Sequence, residues 1–153
     1  MPILDLADLP DARTPLVGLD LGEKTIGVAV SDATRMIASP LHTIRKGKFT
    51  DDAAALFKLM ESRHASGIVV GLPVNMDGTE GPRAQSSRAF ARNLLRLRPD
   101  LPIAFWDERM SSMAVNRMLI DEADVSRARR AEVVDKAAAA WILQGALDRL
   151  RNR

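Results

Sequence analysis

The sequence predicts an α/β fold, a mixed five-stranded sheet with helices on both faces. Three observations carry this. The first half opens on short strands joined by tight turns, "GLDL" and "TIGVAVS". The second half holds two apolar runs, "GIVVGLP" and "LPIAFW", separated by a helix-like stretch. The chain closes on helical patterns. Strands that alternate with helices of this length form crossovers, and hence parallel neighbours.

Leu16–Leu21 and Thr25–Ser31 are neighbouring strands joined by the Gly-Glu-Lys connection at residues 22–24, a hairpin signal. A third extended piece runs from about residue 36 to 44. Its Pro40 offers no ladder donor and argues for an edge position or a bulge. Thr50 is the expected N-cap ahead of Asp51 and Asp52, with Leu56, Leu59 and Met60 at helical spacing to about His64. Residues 67–73 read as a strand buried on both faces, and residues 101–108 as its parallel successor. Between them, residues 83–98 form a helix with Phe90, Leu94 and Leu97 as its apolar stripe. Two further helices follow, one from about Ser111 or Ser112 and one over residues 129–150. An antiparallel start followed by right-handed crossovers gives the mixed sheet.

A chain of 153 residues suits one domain, here residues 15–153, after a loose start at residues 1–14. No apolar run reaches the roughly 20 residues of a membrane helix, and the first 13 residues carry acids and prolines rather than a signal peptide's basic start and apolar centre. A cytoplasmic protein with no membrane partner is expected. The absence of cysteine excludes thiol chemistry and Cys-ligated zinc, and two histidines, His42 and His64, make a His-rich metal site or a Ser-His-Asp triad hard to assemble. Acids are the remaining tools. A net charge of +2 announces no polyanion partner by itself, so local basic clusters matter more than the total.

Three acids stand where the pattern asks for something else. Asp20 interrupts the first strand, alternating with Leu16 and Gly18 on one face while Val17, Leu19 and Leu21 take the other. An Asp that merely ends a strand and serves the Gly22 turn is the plainer reading of it alone. Asp107 and Glu108 stand at the carboxyl end of a parallel strand, where ligands of open α/β sheets gather. Alternation puts them on opposite faces, so spacing does not choose between them, and a simple solvent exit partnered by Arg109 has equal claim. Asp135 lies on the helical row of Ala138, Ala139 and Ile142, a small-residue surface suited to close packing. The plainer reading there is macrodipole stabilisation in a first helical turn, which holds if the helix begins near Val133 and weakens if "RARRAE" belongs to it.

Carboxylates brought together from these three places repel. Two of them about 4 Å apart cost ~4 kcal/mol at an effective dielectric near 20, so such a cluster protonates or binds metal. Hard oxygen donors with scarce histidine favour Mg²⁺ or Mn²⁺, and a pair of these ions activates water and stabilises the leaving oxygen of a phosphodiester. That is nuclease chemistry.

At these residues the chain resembles the YqgF family, also called RuvX. "GLDLGEKTIGVAVSD", "VVGLPVNMDGTEGPRA", "WDER" and "VDKAAA" occur in the family's order, over residues 16–150. The resemblance implies an RNase H-like three-layer sandwich similar to Holliday-junction resolvases of the RuvC type, and a cytoplasmic nuclease that processes the 5′ end of precursor 16S rRNA. It implies an acidic triad that falls on Asp20, Glu108 and Asp135, holding the metal, with Asp107 as a supporting acid. Thr25 stands where relatives often have Arg, which weakens any basic contact at that position.

Residues 71–83 form a Gly/Pro-punctuated loop long enough to be a substrate-contacting flap rather than a passive crossover. Asn75 within it, Arg83 at its end, Lys24 after Asp20, and Arg109 and Lys136 beside the other acids are the expected substrate contacts. Arg88, Arg92 and Arg96 form a basic stripe that is a solvated face unless it borders the acids. Arg127, Arg129, Arg130 and Lys136 adjoin Asp135 and make the better footprint. With 4% aromatics, and Trp106 and Trp141 at expected core positions, a base-stacking platform is not expected. The partner is a nucleic acid, either structured precursor rRNA or a four-way DNA junction; a junction asks for two active sites and hence a homodimer. An ATPase of the actin and Hsp70 type shares the look of "DLGEKT" but needs a second domain, and a non-catalytic adaptor has no use for the complete acid set.

Overall fold

The structure is a computed structural model that describes residues 4–10, 12–108 and 127–151, with the side chains of the last segment described from Lys136 onward. Five strands form one sheet in the order β3-β2-β1-β4-β5, with β1 at Leu16–Leu21, β2 at Thr25–Ser31, β3 at Ala38–Arg45, β4 at Gly67–Leu72 and β5 at Ile103–Asp107. β1 pairs antiparallel with β2 and β2 with β3, while β1–β4 and β4–β5 are parallel. The predicted mixed sheet is therefore present, with the hairpin where the Gly-Glu-Lys turn puts it. β3 is an edge strand, and its register against β2 shifts between Val28 and Ala29, where Pro40 enters the ladder. Edge and bulge together relieve the missing donor.

Helices α1 (Phe49–Arg63) and α2 (Pro82–Leu97) cover one face of the sheet, and α3 (Arg127–Arg151) covers the other. Alternation decides which strand residue goes where. Val17, Leu19, Ile68, Val70 and Ile103 join Leu56, Met60, Ala91 and Leu94 in the larger core. Leu16, Val69 and Ala104 join Ala139, Ile142, Leu143 and Leu147 in the second.

Local expectations change at several places. The first helix is capped two residues earlier than expected: Lys48 occupies the N-cap position without a side-chain bond, and Thr50 lies in the first turn. The entry is held instead by Asp52, buried at 6% exposure, whose carboxylate accepts the Gly47 amide at 3.0 Å. Trp141, expected in the core, is 41% exposed, because the buried row of α3 runs through Ala138, Ala139, Ile142, Leu143, Ala146 and Leu147 and leaves position 141 off it. Leu97 likewise falls at the exposed end of its stripe. The helix expected near Ser111 or Ser112 lies outside the described residues. Within residues 1–14, where composition predicts a loose start, Leu4 donates its amide to Ile103 at 2.9 Å and Leu9 is buried.

α3 approaches the sheet closely at Gly18, where an added Cβ would stand 2.7 Å from the Leu143 Cβ and 3.0 Å from the Ala139 carbonyl oxygen. Neither atom is the end of a flexible chain. Gly18→Ala is expected to destabilise the protein by about 2 kcal/mol, lowering Tm by roughly 4–8 °C in a thermal melt. An unchanged Tm would show that α3 stands further from β1.

Candidate active site

Asp20 sits one residue before the end of β1, on the face that α3 covers, because it continues the alternation of Leu16 and Gly18. It pairs with Gly27 on one side. On the other, the parallel register runs through Leu19↔Val70, so Gly71 is the next residue of β4. Gly71 in turn pairs with Trp106 of β5, and Glu108 follows the last residue of that strand. Asp20 and Glu108 thus flank a glycine on the middle strand.

The glycine is what lets them meet. A Cβ at Gly71 would overlap the Glu108 carboxylate oxygen Oε1 and come within 2.5 Å of the Ile142 Cδ1. The Glu108 carboxyl group occupies the volume a side chain at residue 71 would fill. Gly71→Ala displaces the ends of two side chains rather than backbone, so we expect a folded protein with Glu108 turned away from Asp20. Its cleavage activity should fall at least tenfold while Tm drops by only a few degrees; wild-type activity would show that the Glu108 position is not critical.

Burial pushes the Glu108 carboxyl up to about 8, reinforced by the neighbouring charge of Asp20, a hydrogen bond between the two carboxyl groups and the charge of Asp107, with Arg83 opposing. At neutral pH the pair therefore retains a proton. A half-buried carboxyl pair sharing one proton is the arrangement that a divalent cation converts into two carboxylates. Oxygen donors without histidine or thiol suit Mg²⁺ or Mn²⁺. Among the described residues no group of three or more metal-ligating side chains is complete.

Glu108 shares its face with Asp20, and Asp107 acts on it through charge. Position 135 lies in α3, eight residues after Arg127, on the helical row that leads to the buried Ala138, Ala139 and Ile142. "RARRAE" is thus helical, and first-turn macrodipole stabilisation does not account for an acid there. The side chain of Asp135 and all of Arg109 lie outside the described residues, as do the side chains of Arg127, Arg129 and Arg130. Lys136 is half-buried on α3.

The basic side chains divide. Arg83, in the first turn of α2, donates to the Leu21 carbonyl at 3.3 Å and lowers the Glu108 carboxyl by its charge, so it belongs with the acids. Lys24 is exposed in the β1–β2 turn, and its carbonyl accepts the Lys46 amide at 2.9 Å. The stripe on α2 lies on the sheet face opposite the acids. Arg88 is also engaged elsewhere: it grips Glu80 through two bonds of 2.6 and 2.7 Å and lies 5.0 Å from the centroid of the Phe105 ring.

That grip anchors the loop after β4. Val74 and Glu80 form an antiparallel bridge, Gly78 turns the chain at φ +88°, and the Asn75 amide donates to the Thr79 hydroxyl at 3.0 Å. The expected flap is therefore a folded miniature hairpin. Asn75 is taken up in its construction, with Asp77 held below the usual carboxylate range by its bonds to Thr79. One residue beside the acids, Gly71, carried only a faint signal in the sequence, a glycine inside a strand, which marks close approach.

The architecture defines a fold class, that of the RuvC-like resolvases. The structure matches "T. thermophilus RuvC in complex with Holliday junction substrate" with a TM-score of 0.57 at 14% identity, over 90% of this chain and 96% of that one. It also matches the fowlpox virus resolvase bound to junction DNA, at 0.51 and 6% identity over 88% and 99%. Similarity at these identities concerns the fold. The chain itself belongs to the RuvX family, whose model, described as "Holliday junction resolvase", matches residues 14–149. Relatives from Phenylobacterium zucineum and Caulobacter vibrioides, 82% and 68% identical over 99% of both chains, carry the name "Putative pre-16S rRNA nuclease". Among the described residues no helix is long and apolar enough to cross a membrane.

Proposed function

We propose that this protein is a divalent-cation-dependent nuclease that hydrolyses phosphodiester bonds in precursor 16S rRNA in the cytoplasm. The observation that carries the proposal is the Asp20–Glu108 carboxyl pair seated over Gly71. The names of relatives 82% and 68% identical support the RNA substrate.

Asp20, Glu108 and Asp135 are the residues that would hold Mg²⁺ or Mn²⁺, which when bound supplies an activated water and charge neutralisation at phosphorus. Glu108 gives up its retained proton as the site is loaded. Arg83 and Lys24 approach the phosphate from the side of β1's carboxyl end, while Lys136 and Arg109 lie next in sequence to the other two acids. A four-way DNA junction is the second reading, favoured by the family description and the fold, and its two symmetric cuts would require a homodimer.

The test is incubation of purified protein with a labelled precursor rRNA fragment and a four-way DNA junction, each with Mg²⁺, Mn²⁺ or EDTA. Cation-dependent cutting of the RNA at a discrete 5′ position is the expected result. Paired cuts in the junction alone would move the assignment to a resolvase, and intact substrates in every arm would overturn the nuclease reading.

A further inference from the structure

On the other side of β1's carboxyl end from the acid pair, a cleft of about 350 Å³ opens between the β1–β2 turn, the exit of β3 and the first turns of α2. That volume lies at the lower end of small-ligand sites, about 300–1,000 Å³. Its lining mixes two chemistries: Arg83, Lys46 and Ser86 are polar, and Leu21, Pro82 and Phe90 apolar. The Phe90 ring is fixed edge-on against Phe49, with centroids 5.3 Å apart and planes at 79°.

The cations of this cleft have capacity to spare. Among the described residues the one hydrogen bond of the Arg83 side chain is that to the Leu21 carbonyl, which engages one of the five donors of a guanidinium. The Lys46 ammonium is exposed, with no hydrogen bond or ion pair among the described residues, and a single acid, Glu23, also lines the cleft. Two cations against one acid, in a cleft also lined by apolar side chains, match a molecule with an anionic end and a flat apolar body.

We propose that this cleft is a nucleotide subsite for the substrate strand, with a phosphate held between Arg83 and Lys46 and the attached nucleoside laid against Phe90 and Pro82. The assignment rests on the nuclease reading for its meaning: Arg83 lines the cleft and also acts electrostatically on Glu108, so a strand crossing the end of β1 would meet both places, and the bound nucleotide neighbours the scissile one.

The test is titration of isotope-labelled protein in EDTA with adenosine 5′-monophosphate, adenosine and inorganic phosphate, followed by backbone amide chemical shifts. The nucleotide is expected to move the amides of Gly22, Lys46, Ser86 and Phe90, and to bind more tightly than either fragment. Lys46→Glu, a change at an exposed position, should raise its Kd about tenfold, the sum of one lost attraction and one added repulsion. Shifts located elsewhere, an unchanged Kd in Lys46→Glu, or no shifts at all would overturn the subsite. Because EDTA removes cleavage from the readout, the nuclease assignment can fail in its own assay while these shifts appear, and the reverse.

Discussion

Purified Asp20→Asn protein is expected to lose phosphodiester cleavage by about a thousandfold or more while melting within a few degrees of the wild type. The side chain keeps its size and its hydrogen-bonding capacity, so the strand and its register with Gly27 and Val70 have no reason to change. What disappears is one of two carboxylates that face a common point over Gly71. Without it, the site loses half of its described anionic donor set. The measurement is cleavage rate per folded molecule, and a rate within tenfold of wild type would remove Asp20 from the chemistry.

The second large effect is a reversal of the usual response of stability to pH. The Glu108 carboxyl is raised from 4.5 to about 8 in the folded protein, so between those values the native state binds more protons than the unfolded one. Stability then falls as pH rises from about 4.5 through about 8 and levels off above, since the slope follows the difference in bound protons. Partial solvent access leaves about 3 kcal/mol of this, or roughly 6–12 °C in Tm. Glu108→Gln removes the titrating group and should be the more stable protein at pH 8.5 in EDTA, while being inactive. Melting both proteins from pH 5 to pH 8.5 checks this; parallel curves would mean that Glu108 is not forced to keep its proton.

Much of this was legible in the sequence, where local pattern and global fold agree. The Gly22 turn between two alternating runs gave the hairpin, and the apolar runs around residues 68 and 104 gave the parallel strands. Pro40 announced its own irregularity. The failures occurred where tertiary contact decides between local equals. Thr50 and Lys48 were both acceptable ahead of α1, and Asp52 settled the matter by reaching back to Gly47. Trp141 is apolar enough for a core, yet the close approach of α3 to Gly18 selects the alanine-rich row instead. Asp107 and Glu108 differ by one residue and one face, and the space that Gly71 leaves is taken up by the Glu108 carboxyl. Arg88 looked like part of a basic stripe until its partner, Glu80, came from the flap.

In the proposed function, Asp20 and Glu108 form a cation-holding pair that keeps a proton until the cation arrives. Titration calorimetry of Mn²⁺ at pH 7, repeated in buffers of different ionisation enthalpy, measures binding and proton release together. The wild type is expected to show a binding event that releases close to one proton, and both Asp20→Asn and Glu108→Gln to lose it. Binding without proton release, or equal binding to the two variants, would contradict it.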